Sequence, residues 1–261
     1  MEENYQNEIK QFKDWLHPFD RERLQKWEYL LKAQPESALC EAMTCLMLLD
    51  NKCTVEPFED LSEGGVDFKC LQNGKVFYVE VTCITIEKVT EKIGVPHNLQ
   101  GSSGYSFLTR TFQYELSQKV KQCSCLGAPC LVAIGTFHSE GGGLCFSERG
   151  CERFLTGKPY LVTPFDSEKG ETVGQSYQET ELESAAFVRP TKNKKGGIEI
   201  ARCPISGVLL CDWYGGISSN VVGVLHPSPN HFFDRELLPN IKFGKLKDGY
   251  EKNGILDVEW I

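Results

Sequence analysis

A chain of 261 residues can bury a large core, and its apolar, aromatic and charged fractions (41%, 11% and 25%) are those of an ordinary globular protein. A formal net charge of −8 argues against a broad basic surface for non-specific nucleic-acid binding. A local basic groove on an acidic body stays open, because only the contacting residues release counterions.

No apolar run is long enough to cross a bilayer, and the start Met1-Glu2-Glu3 is unlike a secretory signal, so a cytoplasmic location without a membrane partner is the default expectation. Residues 3 to 34 read as helical with a break near His17-Pro18: Trp15, Leu16, Phe19, Leu24, Trp27, Leu30 and Leu31 supply apolar stripes among many charges. Pro35 then suits the first turn of a new helix, where its missing N–H costs nothing. From Glu36 to Asp50 the residues Ala38, Leu39, Ala42, Cys45, Leu46 and Leu49 form one helical stripe. Glu41 falls at the edge of that stripe, whereas Glu36 is expected to point well away. Spacing alone also allows Glu41 to be a boundary glutamate with its head in water.

Cys53 to Phe58 suits a short strand, and Glu59 to Gly65 a polar loop. The stretch from Gly65 to Cys83 reads as two strands joined at Asn73-Gly74, a dipeptide that readily takes the positive φ values of a two-residue hairpin turn. Side chains alternate across a strand, so Phe77, Val79, Val81 and Cys83 share one face with Val66, Phe68 and Cys70. Asp67, Lys69, Glu80 and Thr82 share the other, which brings two carboxylates from neighbouring strands together. Two oxygen ligands on a rigid sheet beside a third acceptor suit a hard divalent ion such as magnesium, which polarises a phosphoryl oxygen and activates water. Polar-out alternation is equally the default of a sheet with one solvated face.

Ile84 and Ile86 extend that strand on their pattern, and residues 87 to 104, rich in Gly and Ser, read as a loop. A helix follows from Tyr105 to Gln122, with Leu108, Phe112, Leu116 and Val120 as its buried ridge and Arg110, Gln113, Lys119 and Lys121 on its flanks. Cys130 to Gly135 is a continuous apolar run, as expected of a strand covered on both sides. Gly141-Gly142-Gly143 lacks the Gly-Lys-Ser/Thr of a phosphate loop and reads as a flexible turn. Lys192, Lys194 and Lys195 beside Gly196-Gly197 suit a solvated loop or a phosphate contact. Strands return at Ile205 to Cys211 and Val221 to Leu225, before the extended turn His226-Pro227-Ser228-Pro229-Asn230. Of the 12 cysteines, Cys40, Cys45, Cys70, Cys83, Cys130 and Cys211 fall in apolar patterns and read as reduced core residues. Cys123, Cys125, Cys130, Cys145 and Cys151 lack the paired spacing of a zinc site.

The order of helix with Glu41, strand, strand with Asp67, strand with Glu80, helix and buried strand resembles the common core of the PD-(D/E)XK, or restriction-endonuclease-like, nuclease superfamily. The resemblance is carried by Pro35-Glu36-Ser37-Ala38-Leu39-Cys40-Glu41, Gly65-Val66-Asp67-Phe68 and Tyr78-Val79-Glu80-Val81-Thr82. The late strand Ile205 to Leu210 and the segment His226 to Asn230 also resemble the end of certain bacterial members. What the resemblance implies is an α/β fold with an αβββαβ core, a central mixed sheet flanked by helices. In that reading residues 1–34 are an N-terminal helical extension and 35–137 the nuclease-like core. Residues 138–204 are a loop-rich insertion, and 205–261 are C-terminal strands completing the same domain.

It further implies a nuclease that hydrolyses phosphodiester bonds in DNA with Mg2+, or Mn2+ in its place. Asp67, Glu80 and the backbone carbonyl of Val81 would hold the ion, and Glu41 would assist. Where the family carries lysine, this chain has Thr82, which bears no charge; Lys69 is the first choice to replace that cation, ahead of Lys119 and Arg110. The alternative is a nuclease-derived fold without chemistry that binds nucleic acid or protein, and a third reading is a zinc-stabilised scaffold. A homodimer is a fair expectation for a soluble chain of this kind.

Overall fold

The structure, a computed structural model, describes residues 2–60, 65–93, 105–139, 141–142, 147–181, 185–190, 198–216, 220–248 and 256–261. A 3-10 turn, Glu2–Tyr5, leads into α1 (Gln6–Leu16) and α2 (Arg21–Ala33). The break between them contains Pro18, which has no amide to donate. Asp20 restarts the helix, its carboxylate accepting the Glu22 N–H at 2.8 Å. Phe12, Leu16, Trp27 and Leu31 are buried in the principal core, so this helical extension is integral to it. Helix α3 (Pro35–Asp50) begins with its proline in the first turn. It is buried on more than the one expected stripe, Cys40, Met43, Thr44, Met47 and Leu48 included, because α1 and α2 cover the side that the sheet does not.

Strands β1 (Thr54–Pro57), β2 (Phe68–Gln72) and β3 (Lys75–Cys83) form an antiparallel meander. Its hairpin turns at Asn73 and Gly74, with φ of 51° and 74°, and Gln72 pairs with Lys75. Helices α4 (Ile86–Ile93) and α5 (Tyr105–Cys123) then lead to β4 (Cys130–Thr136), which runs parallel to β3 and is buried along its whole length. Helix α6 (Glu148–Thr156) follows, capped by the Ser147 hydroxyl. Six short strands, Lys158–Val162 (β5), Phe165–Asp166 (β6), Glu171–Thr172 (β7), Tyr177–Glu181 (β8), Arg189–Pro190 (β9) and Ile198–Glu199 (β10), pair among themselves outside the main sheet. The chain re-enters that sheet with β11 (Ile205–Asp212), parallel to β4, and finishes it with β12 (Val221–Leu225), β13 (Lys242–Leu246) and β14 (Val258–Trp260).

The product is an α/β fold built on one mixed eight-stranded sheet, ordered β1-β2-β3-β4-β11-β12-β13-β14 and flanked by helices. Strand alternation divides it into two cores. Phe77, Val79 and Val81 of β3, with Leu131 and Ala133 of β4, face α1, α2 and α3. Val132 and Ile134 face the opposite layer, where Phe112 and Leu116 of α5 and Phe154 of α6 pack. The face carrying Glu80 is therefore the floor of a second core and not a solvated surface.

Three local expectations are corrected. The strand does not continue through Ile84 and Ile86; it ends at Cys83, and Ile86 opens α4. Glu36 does not point away from the body. Its Oε2 accepts the Ile86 N–H at 2.7 Å, giving an otherwise orphaned first-turn amide an acceptor of the favourable charge. Gly141 and Gly142, expected in a flexible turn, are buried, with the Gly142 N–H donated to the His138 carbonyl at 2.9 Å. Residues 94–104 and the Lys192 to Gly197 segment lie outside the described residues, as do Gly143 and Cys145. Cys40, Cys45, Cys70, Cys130 and Cys211 are buried free thiols, and Cys83 is half-buried. The Cys123 and Cys130 sulfurs lie 2.9 Å apart, while Cys125 is exposed. Among the described residues no helix is long and apolar enough to cross a membrane.

His226, at the end of β12, is buried against the Phe187 ring, and its Nδ1 accepts the Ser228 N–H at 3.0 Å. Burial brings its pKa down from 6.5 to about 4, so the unfolded chain binds the proton more readily than the folded one. Stability is therefore fully present above pH 6.5 and falls as pH drops toward 4, by about 3 kcal/mol in all for this one group. In urea unfolding followed between pH 6.5 and 5, His226→Gln is expected to flatten this slope relative to the wild type.

Candidate active site

The β2–β3 ladder is regular up to Phe68 opposite Val79. One step further Asp67 stands at the mouth of the hairpin, tied on both sides. Its backbone carbonyl accepts the Phe58 N–H at 2.8 Å, and its Oδ2 accepts the Val81 N–H at 2.6 Å. A strand residue turns its N–H and C=O toward the same neighbour, so the Val81 carbonyl also faces the Asp67 side. The carboxylate thus takes over where strand pairing stops.

Glu80, next along β3, projects to the α5 side and is 2% exposed. Leu116 and Phe112 dock α5 on the sheet, and Lys119, one turn beyond Leu116, is carried in with them. Its Nζ lies 2.6 Å from Glu80 Oε1. Glu80 Oε2 is also buried and has no hydrogen-bond partner. Helix α3 supplies Glu41 from the other layer, half-buried beside a cavity of about 270 Å3 that Asp67 and Glu59 also line.

Electrostatics bind these groups into one cluster. Burial, then the charges of Glu80 and Glu41, hold the Asp67 carboxyl well above the ordinary range, against the Val81 hydrogen bond. Glu41 is pushed up to about 8 by burial and by Glu59, with Glu80 adding to the effect and Lys26 and Lys119 opposing it. Burial also raises Glu80, and Lys119 offsets part of that. For Lys119 burial works against the charge, but Glu80, Asp67 and Glu115 outweigh it and its pKa is raised. A half-buried ammonium is thereby kept protonated beside carboxylates in excess.

Of the residues singled out in the sequence, Glu41, Asp67, Glu80 and the Val81 backbone come together at the open end of the hairpin. Lys69 does not join them. It stands across from Tyr78, and its Nζ pairs with Glu56 Oε2 of β1 at 3.6 Å. The cation that meets Glu80 is Lys119. Thr82 is half-buried on β3 opposite Ile134 and brings no charge. The side chain of Arg110 is outside the described residues. Lys119 lies three residues after a ridge leucine on the face that meets β3, and that spacing is the signal that could have ranked it first.

Among the described residues no three His, Cys, Asp or Glu side chains stand in a metal-ligating arrangement. The donor set still fits magnesium, which is commonly held by one or two carboxylates and keeps several waters. Asp67, Glu80 and the Val81 carbonyl supply such a set, and the buried Glu80 Oε2 is an acceptor the protein itself leaves unused. The chain matches no known protein family, no curated protein and no solved structure.

Removing Lys119 strands a buried carboxylate. Lys119→Met is expected to cost about 3 kcal/mol in urea unfolding at pH 7, and adding Glu80→Gln should recover most of it. Glu41 titrates in the opposite sense to His226. Its folded pKa lies above the unfolded value of 4.5, so its contribution is lost as pH rises through 8. Glu41→Gln should therefore gain stability over the wild type between pH 5 and 8.

Proposed function

We propose that this chain is a metal-dependent phosphodiesterase acting on nucleic acid, with DNA the first substrate to try, built on a restriction-endonuclease-like core. The element order fits that core: α3, the β1-β2-β3 meander, α5 and a parallel β4. The observation that carries the reading is the Lys119 ammonium 2.6 Å from Glu80 Oε1, a cation in reach of the acidic cluster although the motif position holds Thr82.

A divalent ion held by Asp67, Glu80 and the Val81 carbonyl would polarise the phosphoryl oxygen and lower the pKa of a water. The chain's own groups supply the rest. Val81 N–H fixes the Asp67 carboxylate, so that it meets its ligand without reorganising. Lys119 stabilises negative charge that grows on the phosphoryl group as the bond to the attacking oxygen forms, which is worth most where water is excluded. Glu41, its pKa pushed up to about 8, can hold or release a proton at the same end of the hairpin.

Purified protein incubated with Mg2+ or Mn2+ and single-stranded, duplex and nicked DNA should cleave at least one form, and EDTA should stop it. Asp67→Asn, Glu80→Gln and Lys119→Met should each lower the rate by about 100-fold or more. Lys69→Ala should cleave as the wild type does. Cleavage that persists unchanged in Asp67→Asn and Glu80→Gln removes the assignment.

Thr82 and the ion pair that already engages Lys119 favour one second reading, a nuclease-derived binding module without chemistry. Calorimetric titration with manganese separates the two, because the module requires no metal at these carboxylates.

A further inference from the structure

The cavity beside Asp67 and Glu41 is not walled by the sheet alone. The N-terminal helices build its outer side, and they bring aromatic rings: Trp15 of α1, Trp27 of α2 and, across from them, Phe68 of β2. These rings form a connected cluster through Phe12, whose centroid is 5.2 Å from Trp15 and 4.8 Å from Trp27, and Trp15 meets Phe68 edge-on at 6.0 Å. Two cations of α2 stand at the same cavity. Lys26 is held by Glu59 at 2.9 Å, whereas Arg23 has no ion-pair partner among the described residues.

We propose that this cavity receives one unpaired nucleobase, so that the substrate is single-stranded or locally unpaired nucleic acid. The assignment rests on reading the acidic cluster as a phosphodiester site. Three features point the same way. About 270 Å3 is of the size that a single base with part of its sugar would take up. The half-buried Trp15 ring, backed by the buried rings of Phe12, Trp27 and Phe68, suits the π-face that every base offers, and stacking of this kind tolerates any sequence. Arg23 presents an uncommitted planar guanidinium, which suits a phosphate flanking the base, while Asp67 and Glu41 line the same cavity and would face the scissile phosphate.

Outside the cavity Phe58 is 43% exposed and meets Tyr78 in a tilted contact at 5.0 Å, beside the Asp67 carbonyl that holds the Phe58 N–H. It offers a second platform for the next base on the same strand. The overall charge of −8 disfavours a long duplex lying across the body, and a short single strand needs only the local cation.

Fluorescence anisotropy with the full chain, in calcium buffer, tests this with three labelled probes: a 12-nucleotide oligo-dT strand, the same strand with every base removed, and a 12-base-pair duplex. The base-bearing strand is expected to bind about tenfold or more tighter than the abasic strand and the duplex, and to quench tryptophan fluorescence. Trp15→Leu and, separately, Arg23→Ala should each weaken oligo-dT binding about fivefold or more and leave the duplex unaffected. Unfolding midpoints of both variants are measured alongside; Arg23, half-buried and without an ion-pair partner among the described residues, gives the decisive reading if Trp15→Leu does not fold.

Equal binding of abasic and base-bearing strands overturns the proposal, as does oligo-dT binding that is unchanged in folded Arg23→Ala. The two readings fail separately. Base-dependent binding without any cleavage removes the nuclease and keeps the base pocket. Metal-dependent cleavage of intact duplex as fast as of single strands, lost in Asp67→Asn, does the reverse.

Discussion

A carboxylate with 2% exposure cannot stay charged without a cation, and Glu80 finds one in Lys119 at 2.6 Å. That single requirement fixes much else. It ties α5 to β3 across the second core, and so sets the position of the helix along the sheet. It also makes the pair an unusual use of a buried position, because an apolar pair would pack there at no electrostatic cost. The ammonium also satisfies only one of the two Glu80 oxygens.

The two cores explain how carboxyl groups from three elements meet. Glu41 belongs to the α3 layer and Glu80 to the α5 layer, with a sheet between them. They come within electrostatic reach because the β2–β3 ladder ends at Phe68 and Val79, and Asp67 fills the opening. A ladder carried on to Val66 opposite Val81 would have used the Val81 amide for a backbone bond and taken it from the Asp67 carboxylate.

Much of this was legible in the chain. Asn73-Gly74 announces its turn because few dipeptides accept two positive φ values, and the run from Cys130 to Gly135 announces a strand covered on both faces. Pro35 marks its helix start for an equally local reason. The replacement cation was harder, since Lys69 shares a strand face with Asp67 and spacing alone favours it. What decides is reach: Lys69 sits across from Tyr78 and finds Glu56, while α5 brings Lys119 from a distance of 39 residues. Glu36 was misread for the same reason. Helical spacing gives its angle about the axis but not the arrival of the Ile86 amide, 50 residues later.

That Glu36 contact has a mechanical consequence. From α3 it reaches α4 at Ile86; α4 reaches α5 through the Lys88–Glu115 ion pair; and Lys119 follows Glu115 by one turn. The result is a strut running around the end of β3, joining the two helical layers without passing through the sheet. Any sliding of α5 along its own axis would pull on the start of α3, so the spacing between Glu41 and Lys119 is braced from outside as well as held by the charges between them.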